Sequence, residues 1–261
     1  MSDLIPNFVV IIPARYASTR LPGKALVDIA GKPMVQRVYE QAKKSAAKQV
    51  IIATDDDRIH SLVQSFGGIS CLTSKLHSSG TDRVQEAAKL LGFIDNQIIV
   101  NVQGDEPLIP PEAINQVAQD IILQDAQMAT LAEVITEVKE LRDPNIVKVV
   151  TDKRGYALYF SRGPIPWMRT NTSEEKPILP EHKEIHALKH RGIYAYRASL
   201  LNQYVTWPET GLEHIEKLEQ LRALYHGIGI FIGISKLPIP PGVDTENDLH
   251  RVFEVISRNF E

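Results

Sequence analysis

Residues 8–24, FVVIIPARYASTRLPGK, decide the fold, because an apolar run leads directly into a loop rich in cations. Residues 8–12 are apolar and mostly β-branched, a composition typical of a parallel strand that is buried on both faces. A helical pattern of apolar residues follows from Met34 onward. A strand, a loop and a helix in this order predict an open α/β fold, in which ligands bind at the carboxyl ends of the strands.

Three cations, Arg15, Arg20 and Lys24, lie in the loop after this strand. A solvated surface loop is the alternative interpretation, since arginine and lysine side chains are usually exposed. Cations placed directly after a buried strand favour an anion site, and together with backbone N–H groups they suit a triphosphate. The loop has no G-x-G-x-x-G fingerprint, and Ala25 stands where a P-loop has Ser or Thr, so both of those phosphate sites are disfavoured.

The composition favours one domain, or one domain with an insertion, in a chain of 261 residues that is 43% hydrophobic. Its net charge is −3, and no basic tract or aromatic–basic stripe indicates nucleic-acid binding. No apolar run approaches the roughly 20 residues that span a bilayer, and the first residues lack a signal-peptide pattern. Cys71, the one cysteine, cannot form an internal disulfide, so we expect a cytoplasmic protein.

Four short apolar strand segments alternate with helical patterns over the first half of the chain. This order predicts a mostly parallel central sheet flanked by helices. The second half is less regular, and the polar, aperiodic stretch 169–184 is expected to be a loop. The apolar spacing over 215–224 predicts one helix, and a final helix is predicted over Glu246–Arg258.

A second polar group, which includes Gln103 and Asp105, follows the predicted strand 97–102. A carboxylate in this position is poorly explained by packing, and such groups commonly hold Mg²⁺ that bridges substrate phosphates. Asp244 has two interpretations. With Thr245 it is typical of a helix start, and it would also suit a second carboxylate facing the metal. Spacing along the chain does not decide between them.

Two further loops have both a structural and a functional interpretation. The hydroxyls of residues 77–83, HSSGTDR, suit a helix cap, while the small residues would let a planar base approach the backbone. The residues alone leave these two interpretations even. Three adjacent aspartates, residues 55–57, resemble a metal site, but a helix N-cap with acidic first-turn residues is the favoured interpretation.

Several longer motifs give the chain a resemblance to a known family. They are IPARYASTRLPGKAL (12–26), HSSGTDR (77–83), NVQGDEP (101–107), NIVKVV (145–150), YALYFSRGPIPW (156–167), GIYAYR (192–197), LEHIEKLEQLR (212–222) and PPGVDT (240–245). With these motifs the chain resembles, over nearly its whole length, the CMP-Kdo synthetases, cytidylyltransferases of 3-deoxy-manno-octulosonate (Kdo). The resemblance implies a Rossmann-like nucleotidyltransferase fold. It also implies transfer of CMP from CTP to the anomeric hydroxyl of Kdo, with release of pyrophosphate, for lipopolysaccharide synthesis.

The resemblance implies roles for individual residues as well. It implies Mg²⁺ as cofactor, held by Asp105 and Asp244, and Arg15, Lys24 and Asp105 as catalytic residues. The residues implied to bind the nucleotide are Arg15, Arg20, Lys24, Ser79, Gly80, Arg83 and Gln103. The residues implied to bind the sugar are Arg162, His190, Tyr194, Glu219 and Gln220.

The resemblance further implies a homodimer with CTP and Kdo as substrates. We expect one nucleotidyltransferase domain over 1–261, with a core of about 1–130 and 205–261 and a smaller mixed α/β insertion of about 131–204 used for dimerisation. Two alternatives stay open: a cytidylyltransferase for another acidic sugar, of the amino-Kdo or sialic acid type, and a non-catalytic nucleotide-binding protein on the same fold. Arg191 departs from the family pattern, which usually has an apolar residue there, so its direction and the sugar preference stay open.

Overall fold

The computed structural model describes residues 7–17, 21–77, 79–167 and 187–258. Arg20 and the predicted loop 169–184 lie outside the described residues. The strands are β1 (Phe8–Ala14), β2 (Asp28–Ile29), β3 (Lys32–Pro33), β4 (Gln49–Thr54), β5 (Ile69–Leu72), β6 (Ile98–Asn101), β7 (Met128–Val134), β8 (Lys148–Thr151), β9 (Ala157–Ser161), β10 (Leu188–Arg197) and β11 (Ile230–Ile234). The helices are α1 (Met34–Lys43), α2 (Asp57–Ser65), α3 (Gly80–Leu90), α4 (Pro111–Leu123), α5 (Val138–Arg142), α6 (Ala198–Tyr204), α7 (Gly211–Glu216), α8 (Gln220–Tyr225) and α9 (Glu246–Arg258).

The central sheet has the strand order β11-β7-β10-β6-β1-β4-β5, with β8 and β9 attached beside β10. The pairs β1–β6, β1–β4, β4–β5 and β7–β11 are parallel, whereas β10 is antiparallel to both of its neighbours in this order. Helices cover both faces, because α1 and α4 pack in one apolar cluster and α3, α6 and α8 pack in the other. The predicted α/β class with a mostly parallel sheet is therefore confirmed.

Strand β1 lies inside this sheet and is buried on both faces. Phe8, Val10 and Ile12 pack in the cluster with α1 and α4, while Val9 and Ile11 pack in the opposite cluster. Successive side chains of a strand point to opposite faces, so a strand covered on both sides needs an unbroken apolar run. The apolar composition of residues 8–12 is thus explained by the position of β1 within the sheet.

Strand β10 lies between β7 and β6 within the central sheet, although its residues fall in the segment 131–204 that we assign to the insertion. Strand β8 pairs with both β10 and β9, so these two strands extend the sheet beside β10. The segment therefore contributes to the central sheet as well as to an extension of it. Its use in dimerisation stays a prediction.

The structure has two short helices, α7 and α8, where the apolar spacing predicts one helix over 215–224, so that prediction is wrong. The interruption is at Lys217, which ends α7 with a left-handed φ of 54°. Apolar spacing does not detect a single residue in this conformation, because the residues on either side keep the helical period. The break directs residues 218–220 toward a cavity described below.

Among the described residues, none of the helices combines the length and the apolar composition needed to cross a bilayer.

Candidate active site

A cleft of about 280 Å³ opens where β1 and β6 end, at the edge of the sheet where α/β folds bind ligands. Its walls come from distant parts of the chain, so the fold assembles it from loops after several different strands. The predicted nucleotide and metal residues that line it are Arg15, Lys24, Ser79, Gly80, Arg83, Gln103, Asp105 and Asp244. The remaining predicted nucleotide residue, Arg20, lies outside the described residues.

Lys24 joins the two carboxylates that the sequence leaves far apart. Its Nζ donates to Oδ2 of Asp105 at 2.5 Å and to Oδ1 of Asp244 at 2.9 Å. The cap of α9 is provided by Thr245, whose Oγ1 accepts a hydrogen bond from the backbone N–H of Asp248. The carboxylate of Asp244 is therefore available to face the cleft.

The loop that carries Asp244 packs directly on the loop after β6. The backbone N–H of Val243 donates to the carbonyl oxygen of Asp105 at 2.8 Å, and a Cβ on Gly242 would lie 3.2 Å from the same oxygen. The backbone N–H of Asp244 donates to Oδ2 of Asp248 at 3.0 Å. These contacts fix the separation of the two carboxylates through the backbone, independently of the Lys24 side chain.

The donor set at this point fits a magnesium ion. Mg²⁺ is usually held by one or two protein carboxylates, with substrate phosphates and water completing its shell. No group of three or more His, Cys, Asp or Glu side chains suited to a metal occurs within the described ranges. Asp105 and Asp244 could hold the ion together with phosphate oxygens, and both carboxylates pair with the ammonium of Lys24 here.

Arg83 forms part of the cleft wall but is held by protein groups. One guanidinium nitrogen donates to Oδ2 of Asp55 at 2.9 Å and the other donates to Oγ1 of Thr73 at 2.6 Å. The side chain is buried, so its position is fixed before any ligand arrives. We expect Arg83 to shape this wall of the cleft and to hold the segment 73–74, whose Thr73 side chain and Ser74 carbonyl oxygen accept its hydrogen bonds.

The structure shows which interpretation applies to each of two polar loops, residues 77–83 and residues 55–57. Ser79 caps α3, since its Oγ accepts from the backbone N–H of Asp82 at 3.1 Å, yet Ser79 and Gly80 also line the cleft. Capping and ligand contact are therefore compatible there. Asp56 caps α2 by accepting from the backbone N–H of Arg58 at 3.0 Å, which confirms the N-cap interpretation of the three aspartates.

Two residues near the cleft were not predicted from the sequence. His77 lines the cleft, and its Nε2 lies 2.6 Å from Oε2 of Glu86. Oε2 of Glu106 is buried without a partner among the described residues, and desolvation together with the charge of Asp105 raises the pKa of Glu106 to about 8. No spacing pattern reveals either residue, because each depends on a contact between a loop and another element.

A second cavity of about 210 Å³ adjoins the first, and Gln103 lines both. The predicted sugar residues that line it are His190, Tyr194, Glu219 and Gln220. Several of its polar atoms are buried and have no hydrogen-bond partner in the part of the chain that the structure describes, among them Oη of Tyr194, Oε1 of Glu219 and Nε2 of Gln220.

Unpaired buried groups of this kind are uncommon in folded proteins, and each costs about 1–3 kcal/mol. Burial also raises the pKa of Glu219 and the pKa of Tyr194. A ligand rich in hydroxyl groups would supply both the donors and the acceptors that are missing. The second cavity is therefore suited to a polyhydroxylated molecule rather than to an apolar one.

Buried contacts stabilise the corner between α7 and α8, from which Glu219 and Gln220 line this cavity. Arg222 forms a buried bidentate pair with Glu213, at 2.9 and 2.5 Å. Tyr204 donates its hydroxyl to the carbonyl oxygen of Glu219 at 2.8 Å. The two polar side chains are thus positioned by buried contacts on both sides of the helix break.

Arg162 is the predicted sugar residue that the structure does not bring to either cavity lining. Its guanidinium donates to the backbone carbonyl oxygens of Glu216 at 2.7 Å, Pro144 at 3.0 Å and Lys217 at 3.4 Å. These bonds tie the end of β9 to the corner after α7. A role for Arg162 in holding the sugar carboxylate stays a prediction.

Arg191 does not line the second cavity either, which answers the question of its direction. Its guanidinium forms a bidentate pair with Glu133, at 3.0 and 2.7 Å. Oε1 of Glu133 also accepts from the backbone N–H of Ile239 at 2.7 Å. Arg191 is therefore neutralised by a carboxylate that links β7 and β10 to the loop preceding Asp244.

Comparison with known proteins agrees with this geometry. A family model described as cytidylyltransferase matches residues 9–231. A protein of Vibrio vulnificus (strain CMCP6) named 3-deoxy-manno-octulosonate cytidylyltransferase is 55% identical over 251 residues, 96% of this chain and 98% of that protein. A protein of Pasteurella multocida (strain Pm70) with the same name is 49% identical over 260 residues, 97% of this chain and 99% of that protein.

A solved structure is also similar to this chain over nearly its whole length. It is described as CMP:2-keto-3-deoxy-manno-octonic acid synthetase complexed with CTP, and it is 41% identical with a TM-score of 0.87, covering 97% of this chain and 100% of that chain. A cytidylyltransferase structure from Leptospira borgpetersenii, 18% identical with a TM-score of 0.58, shares the fold alone.

Proposed function

We propose that the cleft holds CTP and that the adjoining second cavity holds Kdo, because this chain belongs to the 3-deoxy-manno-octulosonate cytidylyltransferase family. The chain is a cytidylyltransferase that transfers CMP from CTP to Kdo and releases pyrophosphate, and its product is activated Kdo for lipopolysaccharide synthesis. The main support for assigning CTP to the cleft and Kdo to the second cavity is that the two adjoin, with Gln103 lining both. A cluster of cations and carboxylates lies on one side, and unpaired polar groups lie on the other.

On the nucleotide side, the charges suit a triphosphate with a divalent ion. Arg15 and Lys24 supply positive charge to the phosphate oxygens, and Asp105 with Asp244 would hold Mg²⁺. When bound, Mg²⁺ supplies neutralisation of the charge on the transferring phosphate and on the leaving pyrophosphate. Lys24 pairs with both carboxylates and lines the same cleft as Arg15, so its ammonium would lie close to bound phosphates.

On the sugar side, the cavity positions the nucleophile. The anomeric hydroxyl of Kdo attacks the α-phosphorus of CTP, a new O–P bond forms, and the bond from that phosphorus to the β-phosphate oxygen breaks. The proton of the hydroxyl is released to solvent, and pyrophosphate leaves with the electron pair of the broken bond. Such a reaction depends mainly on alignment and charge neutralisation, which fixed neighbouring cavities provide.

The test of this function is pyrophosphate release, measured with each of the four nucleoside triphosphates and with Kdo, amino-Kdo and sialic acid in the presence of Mg²⁺. We expect CTP with Kdo to give the highest kcat/KM, and reactions lacking a sugar to serve as the blank. Turnover with sialic acid and none with Kdo would reassign the substrate. Binding of CTP without turnover on any sugar would instead indicate a non-catalytic nucleotide-binding protein.

The homodimer is also part of this proposal. Large apolar side chains are exposed on β9 and α7, including Leu158 and Ile215, and Trp167 is exposed just beyond β9. Exposed apolar side chains of this size are typical of surfaces that a partner covers. Sedimentation equilibrium should give twice the chain mass of 29.2 kDa, and Ile215→Lys with Leu158→Lys should shift the mass toward the monomer. A wild-type mass of one chain would reject the dimer.

A further inference from the structure

Strand β10 has an irregularity in its pairing beside the second cavity, which we propose holds the sugar. Its pairing with β7 passes from Arg191 opposite Leu131 to Tyr194 opposite Thr130, so Gly192 and Ile193 form a bulge. A bulge re-aims the side chains on either side of it, and bulges are common near active sites. The residue opposite the bulge is Thr130, which is fully buried.

The hydroxyl of Thr130 has three polar neighbours. Its Oγ1 lies 2.7 Å from the carbonyl oxygen of Ile193, 3.0 Å from the carbonyl oxygen of Arg191 and 3.0 Å from Nε2 of His190. A threonine hydroxyl has one hydrogen to donate, and a carbonyl oxygen can only accept. The single hydrogen is therefore directed to the carbonyl oxygens, and the oxygen of Thr130 is left as an acceptor.

The position of the hydrogen on the His190 ring follows from these contacts of the Thr130 hydroxyl. Its Nε2 must carry a hydrogen, because an unprotonated nitrogen would face an oxygen whose only hydrogen is already donated. Burial, together with the charge of Arg191, lowers the pKa of His190 to about 3, so the ring is neutral at neutral pH. A neutral ring with a hydrogen on Nε2 has a lone pair on Nδ1, and within the described residues Nδ1 forms no hydrogen bond.

The orientation of the ring is also restrained. The rings of Phe160 and Tyr194 both pack against the His190 ring, each with a centroid distance of 5.2 Å. Turning the ring over would break the contact with Thr130 and would disturb the packing against both aromatic rings. The nitrogen that is available to a ligand in the cavity is therefore Nδ1.

We infer that Thr130 is a positioning residue that fixes His190 as a hydrogen-bond acceptor for one hydroxyl of the sugar. This inference rests on the proposed function, since it assigns the ligand of the second cavity. It deepens that function by giving a direction to one contact: the sugar donates to Nδ1, while Nε2 of Gln220 is available to donate to the sugar. Thr130 itself does not line the cavity, so it acts through His190.

The first test reads the tautomer directly in the ligand-free protein. In the chain with ¹⁵N-labelled histidine, we expect the signals of His190 to show a protonated Nε2 and an unprotonated Nδ1, assigned by their loss in His190→Gln. Thr130→Val, which removes the hydroxyl at nearly constant shape, should give a mixture of tautomers. A wild-type ring protonated on Nδ1 would overturn the inference, whatever the enzyme turns over.

The second test separates binding of the sugar from other effects. Thr130→Val should raise the KM for Kdo roughly five- to tenfold, the size expected for one hydrogen bond, and should leave the KM for CTP and kcat within about twofold. Thr130→Ser, which keeps the hydroxyl, should restore the KM for Kdo. Thr54→Val removes another buried threonine hydroxyl from the same sheet and is the matched control, with no expected change in that KM.

The two proposals fail in distinguishable ways. If Kdo is not a substrate but the tautomer is as expected, the proposed function fails and the role of Thr130 in fixing the ring survives. If Kdo is turned over and Thr130→Val changes both KM values equally, Thr130 has only a general structural role and the inference is rejected. If Thr130→Val does not fold, the wild-type tautomer and Thr130→Ser still decide the question.

Discussion

Asp105→Asn is expected to lower kcat by about two to three orders of magnitude, with little change in the fold. The substitution keeps the size of the side chain but removes the negative charge that would face Mg²⁺. Folding should persist because Lys24 still has Asp244 as a partner at 2.9 Å and the Asp105 side chain is one-third exposed. Initial rates at saturating CTP, Kdo and Mg²⁺, together with thermal unfolding, measure both effects.

The matched control is Asp125→Asn, which removes the same charge at a distance from the cleft. Asp125 is almost fully exposed and has a φ of 46°, a conformation that asparagine also tolerates. We expect its kcat to stay within about twofold of the wild type, since exposed ion pairs contribute little. A near-normal rate for Asp105→Asn would contradict the assignment of that carboxylate to the metal.

Gly104→Ala is expected to lower both stability and activity. A Cβ at this position would lie 2.7 Å from the carbonyl oxygen of Pro13, so the loop after β6 and the end of β1 would have to separate. Overpacking of this kind costs about 1–3 kcal/mol in the free energy of unfolding. The same movement shifts Asp105 relative to Arg15, and a displacement of about 1 Å can cost on the order of a hundredfold in rate. Urea unfolding and kcat/KM measure the two losses.

Gly211→Ala is the control for this glycine. Gly211 begins α7, and no atom lies within 4 Å of the position that its Cβ would take. We expect it to change the free energy of unfolding by no more than about 1 kcal/mol and to leave kcat/KM unchanged. If Gly104→Ala behaved in the same way, close approach of the two loops would not be a requirement of the site.

The elements that could be predicted from the sequence are those whose composition reflects their own surroundings. The unbroken apolar run of residues 8–12 indicates a strand covered on both faces, and that is where β1 lies. The carboxyl ends of β1 and β6 were predicted to carry ligand-binding residues, and Lys24 and Asp105 do meet there. Both conclusions depend on local pattern and on the general rule for open sheets.

The features that could not be predicted depend on contacts between distant segments. The two interpretations of Asp244 could not be separated, because its contact with Lys24 arises only when the chain end folds over the loop after β6. The guanidinium of Arg162 binds backbone carbonyl oxygens rather than a cavity, and no sequence pattern encodes carbonyl positions. The bulge opposite Thr130 depends on register, which residue periodicity does not specify at the level of single residues.

The pair of bonds made by Lys24 has a consequence for how the site is entered. Asp105 and Asp244 repel each other, and the ammonium of Lys24 offsets this repulsion, while the backbone contact between their loops sets the distance between them. Asp105 and Asp244 would hold a divalent ion only where Lys24 no longer pairs with them, because the ion and the ammonium would compete for the same carboxylate oxygens. Lys24 and Arg15 line the same cleft, so an ammonium released from the two carboxylates would remain beside the nucleotide as a second positive charge.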